Sequence, residues 1–177
     1  GAVPIPATPA ATKELDTRAV LIAEIPNGGT RWRQANFHKA DFTDFFGATP
    51  GETQQRIRIR SIDSLGQLRD EEPARPAVAR KSRNWSFELG AAAGKSYPDK
   101  GRPIAVFLRL RKRTFVYALL MPKDPHYDET RAFLHKQAGK SRRMRTACEA
   151  VEKMITLGVV KDLVKASRDA FQDDYPE

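Results

Sequence analysis

The sequence predicts a mainly β protein of the α+β class, with a closed or half-open barrel-like body followed by a helical C-terminal region. The first indication is a set of short apolar or alternating runs bounded by turn residues, at 19–25, 56–62, 84–90, 104–110 and 114–122. The second is a change of apolar period after Pro122, from that of strands to that of helices. No internal repeat is visible.

In the first half, the apolar run 19–25 ends at Pro26 and the turn residues Asn-Gly-Gly, so we expect a strand followed by a tight turn. Residues 39–47 place three phenylalanines at helical spacing and end at a glycine, which predicts a short helix. The run 56–62 alternates isoleucine with arginine, which predicts a half-buried strand with a basic outer face. The polar, proline-broken segment 64–76 is predicted to be a loop.

The second half begins with a strand at 84–90, followed by a loop over 94–103. The runs 104–110 and 114–122 are joined by the basic turn Arg-Lys-Arg and predict a hairpin. The aromatic side chains of these strands are expected in the core: Trp85, Phe107, Phe115 and Tyr117. Three helices are predicted after them, over 128–139, 143–158 and 159–172.

Composition limits the class of partner. The 177 residues suit one domain, and 40% hydrophobic with 30% charged residues is ordinary for a globular protein. The 31 Lys and Arg against 22 Asp and Glu give a net charge of +9. That surplus favours a polyanionic partner, nucleic acid before a membrane surface, although a merely soluble basic protein remains an alternative.

Further features concern the setting of the chain. Cys148 is the single cysteine, which excludes an intrachain disulfide, and its neighbours follow helical spacing, so we expect it to pack as a small apolar residue. We find neither an apolar run of about 20 residues nor a signal-peptide pattern, and expect a cytoplasmic protein. Residues 1–17, rich in Pro, Ala and Thr, are expected to be a linker or the remnant of a removed tag.

The patterns of common hydrolases are incomplete. Asp99 could begin a divalent-metal nuclease site, but the two strands that follow contain no acid to complete it. None of the three histidines has a lysine two residues later, as a phospholipase-D-type nucleophile requires. We therefore expect a binding module, not an enzyme, without metal or other cofactor.

One stretch combines the side chains that read DNA bases. In "NGGTRWRQANF" (27–37), two arginines stand close to the amides of Gln34 and Asn36, with no acid among them. Arginine pairs with guanine O6 and N7, and Asn or Gln with adenine N6 and N7, in the major groove. We therefore predict base contacts for Arg31, Gln34 and Asn36, with Arg33 available for either base or phosphate, and Trp32 as an anchor for the loop.

A second stretch repeats the pattern. "ARKSRNW" (79–85) places cations, a hydroxyl and an amide directly before Trp85, and no acid occurs between Glu72 and Glu88.

Cations elsewhere are expected to contact the DNA backbone: Lys95, Lys100, Arg102 and, in the hairpin turn, Arg111. The run "KSRRMR" (140–145) is predicted to begin a helix, where cations are unfavourable, which suggests a use in DNA or domain contacts.

The segments "AEIPNGGTRWRQANFHKADFTDFFGA", "KSRNWSFELGAA", "YPDKGRPIAVFL" and "FVYALLMPKDPHY" resemble the C-terminal DNA-recognition domain of BfiI-like restriction endonucleases, whose nuclease half is of the phospholipase D type. That domain is related to plant B-three domains. The resemblance covers residues 19–127 and leaves 128–177 unplaced. It implies an open pseudobarrel of seven strands or a similar number over 18–127, with 128–177 as a helical extension packed on the same domain.

The resemblance also implies that two arms enter the major groove of double-stranded DNA, so that the chain would be the targeting domain of a type II restriction endonuclease. The nuclease would be a separate N-terminal domain of the parent protein. The base-reading residues it implies are Arg31, Arg33, Gln34, Asn36, Arg80, Arg83 and Asn84. Phosphate contacts fall to Thr30, Lys39, Lys81 and Ser82, and the arm anchors to Trp32 and Trp85.

Three alternatives stay open at this point. A transcription factor or a modified-base reader could share the barrel, although a modified-base reader needs an aromatic cage that the polar loops do not offer. A basic RNA-binding module is the second, and a protein-interaction scaffold the third.

Overall fold

Two β-sheets and two helices build the fold in the computed structural model, which describes residues 19–49, 56–73, 75–76, 78–79, 85–146 and 157–171. The strands are β1 (Ala19–Glu24), β2 (Gln34–Phe37), β3 (Arg56–Ile62), β4 (Leu68–Glu71), β5 (Arg75–Pro76), β6 (Val78–Ala79), β7 (Trp85–Glu88), β8 (Ile104–Arg111), β9 (Thr114–Leu120) and β10 (Arg143–Thr146). The helices are α1 (Tyr127–Ala138) and α2 (Gly158–Ser167).

The larger sheet has seven strands in the order β10-β1-β8-β9-β3-β4, with β5 beside β3. The smaller sheet has three strands in the order β2-β7-β6. Most neighbouring strands are antiparallel, whereas β3 and β9 are parallel. The fold is thus α+β and mainly β, consistent with an open pseudobarrel, as the sequence predicts.

The central strands are apolar on both faces because both faces of the larger sheet are covered. One face of β1, β8 and β9 contributes to a core with the smaller sheet, which includes Leu21, Phe107 and Phe87. The opposite face packs against α1 and α2, for example through Val106 and Leu163. Strands buried on two sides appear in a sequence as continuous apolar runs, which is why the hairpin β8–β9 could be predicted.

The short helix predicted near residue 40 is present and forms a π-helical turn over Asp41–Phe45. Its phenylalanines fill the core: Phe46 lies 5.0 Å from Phe107 and 4.8 Å from Phe87, in edge-to-face arrangements. The Arg109 guanidinium donates to the carbonyls of Asp44 and Phe45, each at 3.1 Å. It thereby satisfies acceptors that the end of a helix leaves unpaired.

Strand β3 alternates as predicted, with Ile57 and Ile59 buried and Arg56 exposed. The aromatic side chains of the hairpin, Phe107, Phe115 and Tyr117, are fully buried, so their assignment to the core is confirmed. Trp85 is half-buried and packs against the same core.

Residues 143–146 do not begin a helix as predicted, but form the edge strand β10. Gly139 and Arg142 both have a positive φ of 56°, which turns the chain away from helix continuation. The segment then pairs antiparallel with β1, Ala23 opposite Arg143, and supplies partners for the backbone groups along that edge of β1. Tertiary pairing therefore overrides the helical period of this segment.

The predicted loop 64–76 also contains ordered strands. The turn before β4 is closed by the Asp63 carboxylate, which accepts hydrogen bonds from the backbone N–H groups of Leu65 and Gln67, each at 2.9 Å. Strand β4 then pairs with β3 and is exposed along most of its length, so its polar sequence carries no apolar period.

The helix predicted over 128–139 is confirmed as α1, with Gly139 at its end, and the last helix is confirmed as α2 over a shorter range. Cys148, in the middle predicted helix, lies outside the described residues. Among the helices of the described part of the chain, none is long and apolar enough to cross a membrane.

Candidate nucleic-acid interface

The first predicted arm leaves β1 at Pro26 and returns as β2. The Asn27 side chain accepts a hydrogen bond from Gly29 N–H at 2.8 Å, and Gly29 has φ +66°, which a side chain would strain. A single 3-10 turn over Gly29–Arg31 follows. The sequence therefore fixes a sharp reversal that presents Thr30 and Arg31, both exposed, at its tip.

Trp32 ties this arm to the body of the protein. It is 4% exposed, and its Nε1–H donates to the Lys95 carbonyl at 3.1 Å. Its ring also lies edge-on to Tyr97 at 5.5 Å, and Tyr97 in turn donates to the Ile25 carbonyl at 2.7 Å. Both ends of the arm are thus held against the loop 93–103, as an anchored loop requires.

Arg33 follows Trp32 and makes a long ion pair while remaining largely exposed. Its guanidinium lies 3.6 Å from the Glu88 carboxylate, while its side chain remains 53% exposed. An exposed pair at this distance is weak, on the order of 0–1 kcal/mol, so a phosphate could displace the carboxylate. Glu88 nevertheless adds a negative charge beside the arm.

Gln34 and Asn36 lie on strand β2 instead of the loop to which the sequence assigns them. Their neighbours Ala35 and Phe37 are buried, so the two amides point to the opposite, half-exposed face of the smaller sheet. The short polar run gave no strand signal because only two of its residues are apolar. The amides are therefore held by a sheet, which fixes their direction better than a loop would.

The second predicted arm, with Arg80, Lys81, Ser82, Arg83 and Asn84, lies outside the described residues. The strands before and after it are described: Ala79 of β6 pairs with Trp85 of β7. In the neighbouring pair, Trp85 lies opposite Phe37 and Glu88 lies opposite Gln34. The second arm therefore starts from one end of the β2–β7 pair, and the first arm from the other end.

Trp85 and Lys39 lie together at the end nearer the second arm. The Lys39 ammonium is 5.5 Å from the centre of the Trp85 ring, a cation–π distance, and the ring packs on Phe42 at 5.2 Å. Trp85 is thus placed to hold the start of β7 on the core, and Lys39 is exposed beside it.

Three predicted phosphate contacts belong to the loop 94–103. Lys100 and Arg102 are exposed. The Lys95 side chain instead lines a small cavity of about 100 Å³ with Arg69 and Asp124. Burial lowers the pKa of Lys95, and the nearby Arg69 lowers it further. The clearest role of Lys95 is that its backbone carbonyl accepts the hydrogen bond from Trp32.

Arg111, at the end of β8, is remote from the first arm along the larger sheet. In the β1–β8 pair, Ala19 lies opposite Arg109 and Glu24 lies opposite Ile104. The first arm follows Glu24, whereas Arg111 lies beyond the Ala19 end.

A cleft of about 510 Å³ adjoins the first arm and was not predicted as a unit. Its walls are the end of β1, strand β2 and the turn that connects α1 to β10. The polar and charged side chains that the argument below uses are Glu24, Asn36, His38, Asp41, Arg102, Lys140, Arg142 and Arg143. The basic run at 140–145 was the only indication of the cleft in the sequence. Because that run was predicted to begin a helix, its position beside Asn36 could not be predicted.

Two buried carboxylates lie beneath this cleft. Asp41, 1% exposed, accepts two hydrogen bonds from Arg143, at 2.9 and 3.0 Å, and lies 2.9 Å from Arg145. Burial raises the pKa of Asp41 above its usual value, while the two guanidiniums oppose that rise. Glu24 contacts His135 and lies 3.8 Å from Arg142.

The fold is similar to that of the N-terminal domain of Helicobacter pylori LlaJI.R1, with a TM-score of 0.51 and 12% sequence identity. The similarity covers 72% of this chain and 97% of that domain. No protein-family model and no curated protein matches the sequence. At this identity the likeness shows the fold alone, and it is to an N-terminal domain, so relationship to the C-terminal domain of BfiI-like enzymes stays a prediction.

Proposed function

We propose that this chain binds double-stranded DNA in a sequence-specific manner, with two arms in the major groove, as the targeting domain of a type II restriction endonuclease. The observation that carries the proposal is the anchored first arm. Buried Trp32 holds a turn whose exposed tip presents Arg31, and the strand that follows presents Gln34 and Asn36.

This arrangement suits base reading for an energetic reason. An arginine or amide that contacts a base edge loses side-chain freedom on binding, and a backbone that is already fixed limits the further cost. Guanidinium and carboxamide groups are the side chains that pair in a bidentate way with guanine and adenine. A rigid arm that carries both can distinguish base pairs.

The separation of the strand ends that adjoin the two arms fits the same function. The first arm joins β2 at Gln34, and the second precedes Trp85, which lies opposite Phe37. Three steps along a strand span about 10 Å, because each residue of a strand rises by about 3.4 Å. The major groove is about 12 Å wide, so the arms start from points separated by a comparable distance.

Charge and fold add support of a general kind. The net charge of +9 favours association with a polyanion. The N-terminal domain of Helicobacter pylori LlaJI.R1 has a similar fold. A nuclease domain elsewhere in the parent protein would supply cleavage, and the recognition sequence would be set by the arm residues.

Selection from a randomised pool of duplex DNA, at roughly physiological salt so that phosphate attraction alone does not dominate, tests the proposal. The expected result is a short enriched motif that contains the guanines and adenines that arginine and amide side chains read. The Arg31→Ala variant should lose preference at one position of the motif, whereas Arg168→Ala, an exposed arginine after α2, should keep it.

A pool that shows no enrichment, with binding that disappears as salt rises, would overturn sequence-specific recognition. Stronger binding to duplex RNA than to every DNA in the pool would favour the basic RNA-binding alternative instead.

A further inference from the structure

We propose that the cleft formed by the end of β1, strand β2 and the turn 139–143, here called the basic cleft, binds the phosphodiester backbone of the DNA strand that passes the first arm. This inference rests on the proposed function. It adds a third contact, carried partly by the C-terminal extension, to the two arms.

The charges of the cleft favour an anion despite the two acids beneath it. Four cations and two carboxylates line it. The carboxylates are buried, and each has a positively charged or protonatable partner outside the cleft lining: Arg145 for Asp41 and His135 for Glu24. The cations Arg102, Lys140 and Arg142 are exposed at the surface. An approaching phosphate therefore meets ammonium and guanidinium groups before it meets a carboxylate.

The turn that carries Lys140 and Arg142 is fixed before any ligand arrives. The backbone N–H of Glu24 donates to the Arg142 carbonyl at 3.0 Å, which joins the turn to β1. The Ser141 hydroxyl lies 2.9 Å from the Ala138 carbonyl and 3.2 Å from that of Arg143. Cations on a fixed backbone lose less freedom on binding than cations on a free loop.

Arg142 itself occupies an unusual conformation. Its φ of 56° and ψ of 22° are left-handed, a region that is costly for a long side chain and common for glycine or asparagine. Strain of this kind, of order 1–3 kcal/mol, tends to be kept where it positions a functional group. Here it directs an exposed guanidinium to the rim of the cleft.

The position of Asn36 connects the cleft to base reading. Asn36 lies on the half-exposed face of β2 and also lines the cleft, across from the turn 139–143. A DNA strand that brings a base to Asn36 must also bring the phosphates next to that base close to Asn36. The cleft places cations beside Asn36, so the base contact and the phosphate contacts would involve the same DNA strand.

The test replaces both turn cations with neutral, polar side chains, in the variant Lys140→Gln/Arg142→Gln. The matched control is Lys165→Gln/Arg168→Gln, which removes one lysine and one arginine at the exposed end of α2. Binding of a selected duplex and of a random duplex is measured over a series of salt concentrations. We expect the turn variant to lose affinity by the same factor on both duplexes, with a slope of log K against log salt less steep by about 1–2. The control should keep the wild-type slope.

Several outcomes separate this inference from the function on which it rests. A wild-type protein that selects a motif, together with a turn variant whose affinity and slope match the control, would overturn the cleft alone. A loss confined to the selected duplex would also overturn it, since base reading would then explain the residues. A wild type that selects no motif would instead overturn the proposed function.

Discussion

The indole N–H of Trp32 donates a hydrogen bond to the backbone carbonyl of Lys95 across 3.1 Å, and this contact joins the first arm to the loop 93–103. The two residues are 63 positions apart in the chain. The position of Arg31 and Arg33, which flank Trp32, therefore depends on a contact between two distant loops.

Replacement of Trp32 by phenylalanine should loosen the arm. The change removes the donor and leaves the partly buried Lys95 carbonyl without this partner, and an ordinary hydrogen bond contributes about 0.5–1.5 kcal/mol. We expect a lower free energy of unfolding in urea and weaker binding of the selected duplex. The control is Phe133→Leu, since Phe133 is half-buried but packs in the core between the larger sheet and the helices. Equal effects of the two changes on binding would argue against a special role for the Trp32 anchor.

Arg31→Ala should separate base reading from general attraction. If Arg31 contacts a base, its loss costs about 1–3 kcal/mol on the selected duplex and little on random DNA. We expect the same of Arg83→Ala in the second arm. Arg111→Ala, at the far end of the larger sheet, should weaken both duplexes alike as a phosphate contact. Titrations of each variant with both duplexes measure these differences, and equal losses throughout would contradict the assignment of bases to the arms.

The strands most accessible to sequence analysis are those with a strong pattern of their own. Ile57 and Ile59 alternate with arginines, and the hairpin β8–β9 is a continuous apolar run. Strand β10 could not be predicted, because Arg143–Thr146 becomes a strand only when the exposed edge of β1 is available to it. The basic cleft could not be predicted for the same reason. Asn36 and Lys140 are distant in sequence, and only the folded sheet brings them to one surface.

Tyr117→Phe should test a buried contact that fixes the segment before the loop 93–103. The Tyr117 hydroxyl donates to the Glu72 carboxylate and accepts from the Ala91 N–H at 3.1 Å, and the same carboxylate accepts from the Gly90 N–H at 2.7 Å. Loss of the hydroxyl leaves the Ala91 N–H without this acceptor, so we expect a loss of about 1–3 kcal/mol in the free energy of unfolding. The comparison is Tyr97→Phe, whose hydroxyl is only partly buried and which should cost less. A Tyr117→Phe variant as stable as the wild type would show that water or a shift of Glu72 satisfies these groups.

The buried carboxylate of Asp41 should make stability depend on pH in a particular direction. Burial raises the pKa of Asp41 in the folded protein above its ordinary 3.8, with Arg143 and Arg145 acting against the rise. A raised folded pKa means that protonation favours the fold, so this contribution is fully present below the unfolded pKa and is lost as pH rises through the folded pKa. Asp41→Asn cannot titrate and loses this dependence.

We therefore expect the stability of the wild type, relative to Asp41→Asn, to fall as pH rises through the acidic range in which carboxylates titrate. Urea unfolding of both proteins across this range measures the difference. Asp44→Asn, which removes a more exposed carboxylate from the same helical turn, provides the matched control. A relative stability that rises with pH would mean that the two arginines outweigh burial, and that the Asp41 carboxylate stabilises the fold as an ion.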